Sequence, residues 1–436
     1  MAQGNFLTEQ TPHTTLVDVH IRALSSEGAG VADLADGRVV FVPRTAPGDH
    51  VRVRLVKMKA RWGTATVEEI LEPSPTRVQP PCKLFDECGG CSFQHISAAE
   101  QLHWKGRFIA DALKRIGRID VEAPEVVASP ATIGYRNRVA YTFRRLRAGR
   151  VVAGFHALDR PAHVIDVEGQ CQLPEPAVRE AWKALRLGWG GGGRLLPGGG
   201  RLRLILRNTS AGVILVVEGG EEGWSAKPLA EAVPKLQSIW HKPSGGKQAV
   251  RVHGEQALEV WGGETFPLTA GAFLQVNQPL AEALRDFVLE SARDAGLVVD
   301  AYCGVGAYAR PLARAGAHVV GIELDLDACS AARYEAPEDL IVVKGRVEDL
   351  LSDHLPADVL IVNPPRTGLD VAVPDIVLAD PPQKIIYVSC DPATLARDIG
   401  RLGSSYQIVA LKAFDLFPQT AHIETVAVLE RVEASS

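Results

Sequence analysis

No stretch of the sequence has the roughly 18 or more uncharged apolar residues that a membrane-spanning helix needs. The first residues, MAQGNFLTEQ, lack the basic and apolar regions of a signal peptide. The sequence also has no internal repeats. We therefore expect a cytoplasmic protein with no membrane partner, and we expect it to be a monomer.

Cysteine is scarce, with seven residues in 436, and its odd number in a chain without an export signal argues against a disulfide framework. Metal ligation or nucleophilic chemistry is the better first explanation of these thiols. A surplus of positive charge is also missing, because the formal net charge is −5. Total charge therefore does not indicate a nucleic-acid-binding protein.

Basic residues are nevertheless concentrated in two short segments. They are Arg52, Arg54, Lys57, Lys59 and Arg61 in the first segment, and Arg136, Arg138, Arg144, Arg145, Arg147 and Arg150 in the second. Each segment is suited to holding nucleic-acid phosphates. A solvated strand face explains either segment equally well when it is taken alone.

The length predicts two or three domains, and 46% hydrophobic with 23% charged residues is typical of a globular protein. Residues 10–72 contain short β-rich segments separated by Gly, Asp and Pro turns, which predict a small β-barrel of the oligonucleotide-binding kind. Residues 80–265 predict a central α+β domain with a cysteine cluster, a helix at about 97–117 and several strands. Within it, GWGGGGRLLPGGG at 188–200 is too glycine-rich to pack and predicts a mobile loop.

From residue 266 to residue 436 strands and helices alternate, which is typical of an α/β domain with a doubly wound, Rossmann-like sheet. Ligands in such folds bind at the carboxyl ends of the strands. The segment VVDAYCGVGAY places Asp300, Tyr302, Gly304 and Gly306 at the end of one predicted strand. Glycines there allow a nucleotide-like ligand to approach the backbone.

A carboxylate, Glu323, ends the next predicted strand, where it suits two ribose hydroxyls. Lys344-Gly345 end the third strand, and Glu348-Asp349 follow where an adenine amino group would lie. A single G-x-G with acids after the second and third strands favours S-adenosylmethionine (SAM) over a dinucleotide. A Rossmann-like domain with a purely structural turn remains the alternative.

Predicted strand KIIYVS brings Cys390 to the same edge, directly before Asp391 and Pro392, which begin a helix. A thiol beside a helix N-terminus is expected to have a stabilised thiolate, although many cysteines at strand ends are inert. Glu424 lies on the last strand, on one side with His422, and is partly buried. It either pairs with a base such as Arg366 or acts as a tuned proton acceptor.

A thiolate, a carboxylate and a methyl donor together suit one reaction, methylation of carbon 5 of uracil. This carbon is not nucleophilic until a thiolate adds to carbon 6. A base must then remove the proton at carbon 5 so that the thiolate can leave. Cys390 and Glu424 are our candidates for these two roles.

At these residues the chain resembles the SAM-dependent RNA m5U (uracil-C5) methyltransferases. The matching motifs are FLQVN at 273–277, the glycine turn at 300–306, NPPRTGL at 363–369, SCDPATLARDI at 389–399 and FPQTAHIE at 417–424. The resemblance implies SAM contacts from Gln275, Tyr302, Glu323 and Asn363, with Cys390 as nucleophile and Glu424 as base. The N-terminal barrel resembles the TRAM module, an RNA-binding appendage of this family.

Two positions depart from the family pattern. Residue 363 is Asn where many members have Asp, and residue 307 is Ala where some have Asn. Both departures bear on the cofactor contacts and neither on the reaction class.

The remaining cysteines form the pattern C-x5-C-G-G-C, with Cys82, Cys88 and Cys91, and Cys171 lies far downstream. Four thiolates hold zinc or a [4Fe–4S] cluster, and three clustered ligands with one distant ligand favour the cluster. A subgroup of the family that the chain resembles carries this pattern, which implies an iron–sulfur cluster with a structural or RNA-shaping role. Gln94 and residues 135–138 near it are then candidates for RNA contact.

Members with this cluster most resemble 23S rRNA enzymes, so the expected partner is 23S rRNA, with the tRNA T-loop as the alternative. A target base must be extruded from its stack to reach the thiol. A non-catalytic RNA-binding or folding factor is the rival from another class, and it is disfavoured because Cys390 and Glu424 are both present. DNA cytosine-C5 methylation is disfavoured because the nucleophile of those enzymes follows the fourth strand, whereas Cys390 follows the fifth. The barrel and the arginine-rich segment disfavour a small-molecule methyltransferase.

Overall fold

A computed structural model describes residues 15–271 and 274–432. Phe273 of the FLQVN motif and the outermost residues of the predicted first and last domains therefore lie outside the described residues. The chain forms two compact units. The first comprises the described residues up to Asp86 with Cys91–Trp104 and Gln419–Ala421, and the second comprises Glu87–Gly90, Lys105–Pro418 and the described residues from His422.

The first unit contains a six-stranded sheet in the order β1-β5-β6-β4-β3-β2. Its strands are β1 (Leu16–His20), β2 (Ala23–Leu24), β3 (Gly30–Asp33), β4 (Val39–Val42), β5 (His50–Met58) and β6 (Trp62–Glu72). Residues alternate along β5, with Val51, Val53 and Leu55 buried in one core and the arginines between them facing outward. This matches the small β module that the turn-separated segments predict.

Helix α1 (Ala98–Ala112) begins in the first unit and continues in the second. It is followed by β7 (Val126–Val127). A seven-stranded sheet has the order β10-β9-β8-β11-β12-β13-β14. The elements of this region are β8 (Arg138–Arg145), β9 (Val151–His156), β10 (Val164–Asp166), α2 (Pro176–Gly188), β11 (Arg201–Thr209), β12 (Gly212–Glu218), α3 (Lys227–Ala232), β13 (Leu236–Lys242) and β14 (Val250–Gly254). A two-stranded ribbon of β15 (Leu258–Trp261) and β16 (Glu264–Pro267) comes next.

The prediction that residues 188–200 are too glycine-rich to pack is wrong. Trp189 and Leu196 are buried, and the Arg145 guanidinium donates hydrogen bonds to the carbonyls of Gly192, Gly193 and Leu196. A Cβ on Gly193 would lie 2.5 Å from the Phe143 ring. The glycines therefore allow close packing here, with one arginine satisfying the carbonyls of the turn.

The predicted doubly wound α/β sheet is confirmed. Its strand order is β19-β18-β17-β20-β21-β23-β22-β7, and β17 to β21 run parallel. The elements are α4 (Gln278–Ser291), β17 (Leu297–Ala301), α5 (Ala309–Arg314), β18 (His318–Glu323), α6 (Leu326–Arg333), β19 (Leu340–Lys344), α7 (Val347–Leu350), β20 (Val359–Val362), α8 (Ala372–Ala379), β21 (Lys384–Ser389), α9 (Pro392–Leu402), β22 (Tyr406–Phe414) and β23 (Glu424–Arg431). Nearly continuous apolar runs form the central strands because helices cover both faces.

Candidate active site

The candidate cofactor residues follow the carboxyl ends of neighbouring parallel strands. Ala301, the last residue of β17, is in register with Ile322 of β18 on one side and with Val362 of β20 on the other. Tyr302, Glu323 and Asn363 each come directly after or at these strand ends, so the structure brings them to one edge of the sheet. This juxtaposition follows from parallel pairing and is independent of sequence distance.

The turn after β17 has an unusual backbone. Tyr302 has a φ of +67°, and Gly304 and Gly306 have φ values of +56° and +83°. A left-handed conformation is costly for a tyrosine and is tolerated where the surrounding structure imposes it, often at functional sites. A Cβ on Gly304 would meet no atom within 4 Å, so its conformation and the open space above it favour a bound ligand over packing as the reason for glycine.

The Glu323 carboxylate is held by the backbone around it. Its Oε2 accepts a hydrogen bond from the Gly304 amide at 3.0 Å, and its Oε1 accepts from the amides of Leu324 and Asp325 at 2.8 and 2.7 Å. A carboxylate has about four acceptor positions, so it retains capacity for a hydroxyl donor. Its orientation is therefore set by the protein before a ribose would arrive.

Asp300 ends a predicted strand but is not one of the predicted site residues. It is fully buried, its Oδ2 accepts from the Ala309 amide at 3.1 Å, and its Oδ1 has no hydrogen-bond partner among the described residues. Burial raises the pKa of this carboxyl to about 8. A buried polar atom without a partner is costly, and it marks a place where a ligand or a water supplies the missing donor.

Loop 363–369, which carries Asn363 and Arg366, is anchored to helix α9. The Leu369 amide donates to the buried Asp398 carboxylate at 2.8 Å, and the Tyr387 hydroxyl donates to the same oxygen at 2.8 Å. Arg397 donates to the Thr367 carbonyl at 2.8 Å. The loop that holds the exposed Arg366 is thus fixed at its far end by a fully buried carboxylate.

Cys390 and Glu424 lie across a strand pair from each other. In the antiparallel pairing of β21 with β23, Ser389 is in register with Thr425. Cys390, which follows β21, therefore lies opposite Glu424, the first residue of β23. Cys390 is partly exposed and Glu424 is buried, with 4% of its surface accessible. His422 is exposed and precedes β23, so the prediction that it shares the strand with Glu424 is wrong.

The structure does not stabilise the Cys390 thiolate in the way that the sequence predicts. The pKa of the Cys390 thiol is raised to about 11, first by burial and then by the Glu424 carboxyl, while Arg366 acts to lower it. Asp391 explains why the helix does not help, because its carboxylate accepts from the amides of Ala393 and Thr394 at 2.9 Å and so occupies the helix N-terminus itself.

Glu424 has the properties of a tuned proton acceptor. Burial raises the pKa of its carboxyl to about 8, while Arg366 and a hydrogen bond from Gln275 lower the pKa. Among the described residues Arg366 forms no ion pair with Glu424, and its charge acts on the carboxyl by lowering the pKa. A pKa near neutrality suits a general base.

Sequence reasoning missed the residues that hold Gln275. The Asn137 side chain donates to the Gln275 carbonyl at 3.2 Å, and the Asn137 amide donates to the Val276 carbonyl at 2.9 Å. Gln275 Oε1 is buried with no partner among the described residues, so it is available to an N–H group of a ligand. The asparagine of the segment YRNR is the available signal, and from the sequence it is a candidate for RNA contact.

The four candidate metal ligands are divided between the two units. Cys82 and Cys91 belong to the first unit, and Cys88 and Cys171 belong to the second. Over residues 15–271 and 274–432, no three or more His, Cys, Asp or Glu side chains are grouped so as to hold a metal ion. The structure therefore supplies no geometric support for the predicted cluster.

Within the part of the chain that the structure describes, none of the helices combines the length and the apolar character needed to cross a membrane.

Comparison with known proteins gives two family matches. Residues 344–432 match the model described as tRNA (Uracil-5-)-methyltransferase. Residues 17–76 match the model described as tRNA (uracil(54)-C(5))-methyltransferase, TRAM domain. The second match covers the sheet of β1 to β6, and the first covers Asn363, Cys390 and Glu424.

Relatives match along nearly the whole chain. An RNA methyltransferase of Thermosynechococcus vestitus is 35% identical over 443 residues, which is 95% of this chain and 97% of the relative. One from Gloeobacter violaceus is 36% identical over 443 residues, 95% of this chain and 96% of the relative. The solved structure of Pyrococcus abyssi tRNA (uracil-54, C5)-methyltransferase with S-adenosyl-L-homocysteine has a TM-score of 0.72 and 27% identity, covering 94% of this chain and 99% of that chain.

Proposed function

Because the chain belongs to the family of SAM-dependent RNA uracil-5 methyltransferases, we propose that it acts through a covalent bond between Cys390 and carbon 6 of a uridine. The observation that supports this mechanism is the placement of a partly exposed thiol opposite a buried carboxyl of raised pKa at one end of β21 and β23. Thiol and base are the two groups that the reaction requires of the protein.

The steps follow from these groups. The Cys390 thiolate, the form from which the thiol proton has already been lost to solvent, adds through its sulfur to carbon 6, and the electron pair of the ring double bond moves to carbon 5. SAM, when bound, supplies the methyl group that carbon 5 takes, and S-adenosyl-L-homocysteine remains. The Glu424 carboxylate removes the proton from carbon 5, the double bond re-forms and the bond from sulfur to carbon 6 breaks. Arg366 lowers the pKa of both groups, so it favours the thiolate and the carboxylate.

We assign the SAM contacts to the residues at the strand ends and in the segment before α4. They are Gln275, Tyr302, Gly304, Gly306, Glu323 and Asn363. The oriented Glu323 carboxylate and the open space above Gly304 support this assignment. Asn363 in place of the more common Asp keeps an acceptor oxygen and adds a donor.

Two substitutions test the covalent mechanism. We expect Cys390→Ala to abolish methylation while RNA and S-adenosyl-L-homocysteine still bind, because only the nucleophile is removed. We expect Glu424→Gln to accumulate an RNA–protein adduct that survives denaturing electrophoresis, because the last proton is not removed. Glu430→Gln, an exposed carboxyl on the same strand, is the matched control and should behave as the unsubstituted protein. Full activity of Cys390→Ala would exclude the mechanism.

As the target we propose a uridine of 23S rRNA, on the strength of the cysteine spacing and the family resemblance. A specific observation favours a second candidate, uridine 54 of tRNA, because the Pyrococcus abyssi structure of TM-score 0.72 is a tRNA (uracil-54, C5)-methyltransferase. Mass mapping of rRNA and tRNA from a host that lacks the gene distinguishes the two. Loss of 5-methyluridine from 23S rRNA alone supports the first, and loss from tRNA alone contradicts it.

We also propose that Cys82, Cys88, Cys91 and Cys171 bind a [4Fe–4S] cluster. The proposal depends on the C-x5-C-x2-C…C spacing and on the partial exposure of all four thiols, and the described side chains are not grouped as metal ligands. Anaerobically purified protein should contain iron and acid-labile sulfide in equal amounts, and Cys171→Ser should lose both. Stoichiometric zinc without sulfide would contradict the proposal.

A further inference from the structure

Among the residues that the structure describes, the first basic segment contains two arginines that are paired with carboxylates and three basic residues that are not. Arg52 donates to both Asp18 oxygens at 2.8 and 3.0 Å and lies 3.4 Å from a Glu69 oxygen, and Arg54 donates to Glu68 at 2.8 Å. These two arginines are therefore neutralised by carboxylates on the same sheet.

The remaining basic residues lie in the hairpin tip, which we define as residues 57–62: the end of β5, the turn and the first residue of β6. Lys57, Lys59 and Arg61 are exposed, and none of them has a carboxylate partner among the described residues. The tip itself contains no acidic residue. It therefore carries three positive charges that the fold leaves to solvent.

An aromatic ring lies among these charges. Trp62 keeps 36% of its surface accessible, its ring packs edge-on against Phe41 at a centroid distance of 6.0 Å, and the Lys59 ammonium lies 4.5 Å from the ring centroid. An exposed aromatic ring beside cations offers a surface on which a nucleic-acid base can stack.

The tip is held in place by the backbone. The Lys59 amide donates to the Trp62 carbonyl at 2.7 Å, and the Val39 amide donates to the Arg61 carbonyl at 3.1 Å. A Cβ on Gly63 would lie 2.2 Å from the Met58 sulfur, so glycine lets Met58 pack against the strand. Trp62 therefore lies on a fixed strand. Binding of a ligand to it costs little conformational entropy, because this part of the protein is already ordered.

We propose that the hairpin tip is a stacking site for an unpaired base of the RNA substrate, with Trp62 against the base and Lys57, Lys59 and Arg61 against the flanking phosphates. An aromatic face beside unpaired cations is the combination that binds single-stranded nucleic acid. The inference uses the proposed function only to name RNA as the ligand, and it concerns binding at a place outside the active site.

Binding of a fluorescent single-stranded oligouridylate tests this site without any methylation. We expect Trp62→Ala to weaken binding about tenfold and Trp62→Phe to retain most of the affinity, because phenylalanine also stacks. Replacing Lys57, Lys59 and Arg61 together with Gln should make the slope of log affinity against log salt shallower by about 2, at ~0.7 for each lost phosphate contact.

The matched control is the double variant Arg52→Gln/Arg54→Gln, which removes neighbouring charges that are already paired and should change the salt slope far less. Circular dichroism establishes that each variant is folded, and Trp62→Leu, which also removes the aromatic ring, serves if Trp62→Ala is not. Unchanged oligouridylate binding by the folded variant without the ring and by the triple variant would overturn the proposal. The proposal would also be overturned if the substitutions weakened binding to vesicles of anionic lipid and left oligouridylate binding unchanged. Failure of the proposed function gives a different result: the protein does not methylate RNA, but the variants still change oligouridylate binding as expected here.

Discussion

At the scale of single residues, burial dominates the chemistry of the candidate site. The pKa of the Glu424 carboxyl is raised to about 8 and that of the Cys390 thiol to about 11, in both cases first by desolvation. A buried carboxyl that still exchanges its proton near neutrality is a more effective base than an exposed one, because its conjugate acid is weaker. The residue that moderates both pKa values is Arg366.

This leads to a prediction about pH. In the proposed mechanism the carboxylate form of Glu424 is the base. Its fraction rises with pH, so the single-turnover rate of product release from the adduct should rise between about pH 7 and pH 9. Rapid-quench measurements over this range check the prediction. Glu424→Gln should lose the rise, and Glu430→Gln should keep it. A rate that falls as pH increases would contradict the role of Glu424.

At the scale of elements, the segment between β22 and β23 is fastened by a buried ion pair. Lys105 of α1 donates to Asp415 and, at 3.1 Å, to the Phe417 carbonyl, and Lys105 is fully buried. Burial lowers the pKa of Lys105 and raises that of Asp415, so each charge persists because of the other. The Asn277 side chain donates to the Leu416 carbonyl at 3.4 Å in the same segment. This chain segment leads directly to Glu424.

Removing one partner of this pair should be costly. We expect Lys105→Met to lower the free energy of unfolding by about 3 kcal/mol or more, because it leaves the Asp415 carboxyl buried without its partner. The double variant Lys105→Met/Asp415→Leu should recover much of the loss. Urea denaturation measures both. If the single and double variants prove equally unstable, packing around α1 matters more than the ion pair.

At the scale of the whole molecule, formal charge describes the surface poorly. Arg310, with 1% of its surface accessible, is paired with Glu264, and Arg145 is used within the protein to bind the carbonyls of the glycine-rich segment. The net charge of −5 therefore conceals local surfaces of the opposite sign, among them the hairpin tip. An RNA-modifying enzyme needs such surfaces locally and not in its average composition.

The two compact units predict how a ligand affects stability. All of the proposed SAM contacts lie in the second unit, so S-adenosyl-L-homocysteine at about 100 times its Kd should stabilise that unit by ~2.7 kcal/mol. The corresponding rise in Tm is about 4 °C for a unit of this size. Hydrogen exchange should slow around residues 302–306 and 323–325 and remain unchanged in β1 to β6. Glu323→Ala should lose most of the shift, and an equal shift in that variant would remove Glu323 from the site.

Much of this architecture was predictable because its signals are local. Alternating apolar strands and helices from residue 278 onward gave the doubly wound sheet, and Asp391-Pro392 marked the start of α9. The packing of residues 188–200 was not predictable, because the carbonyls there are satisfied by Arg145, which lies more than forty positions away along the chain. The pKa of Cys390 was mispredicted for a similar reason, since burial and Glu424 depend on the neighbouring strand.

The sequence by itself determined which chemical groups lie at the strand ends, because strand order and turn residues are encoded by short-range patterns. It also determined the family, through motifs that occur in the same order along the chain. Only the tertiary structure decided that Cys390 faces Glu424, that Asn137 holds Gln275, and that Arg52 is neutralised while Lys59 is not. Those outcomes depend on pairing register and burial, which residues distant in the chain create together.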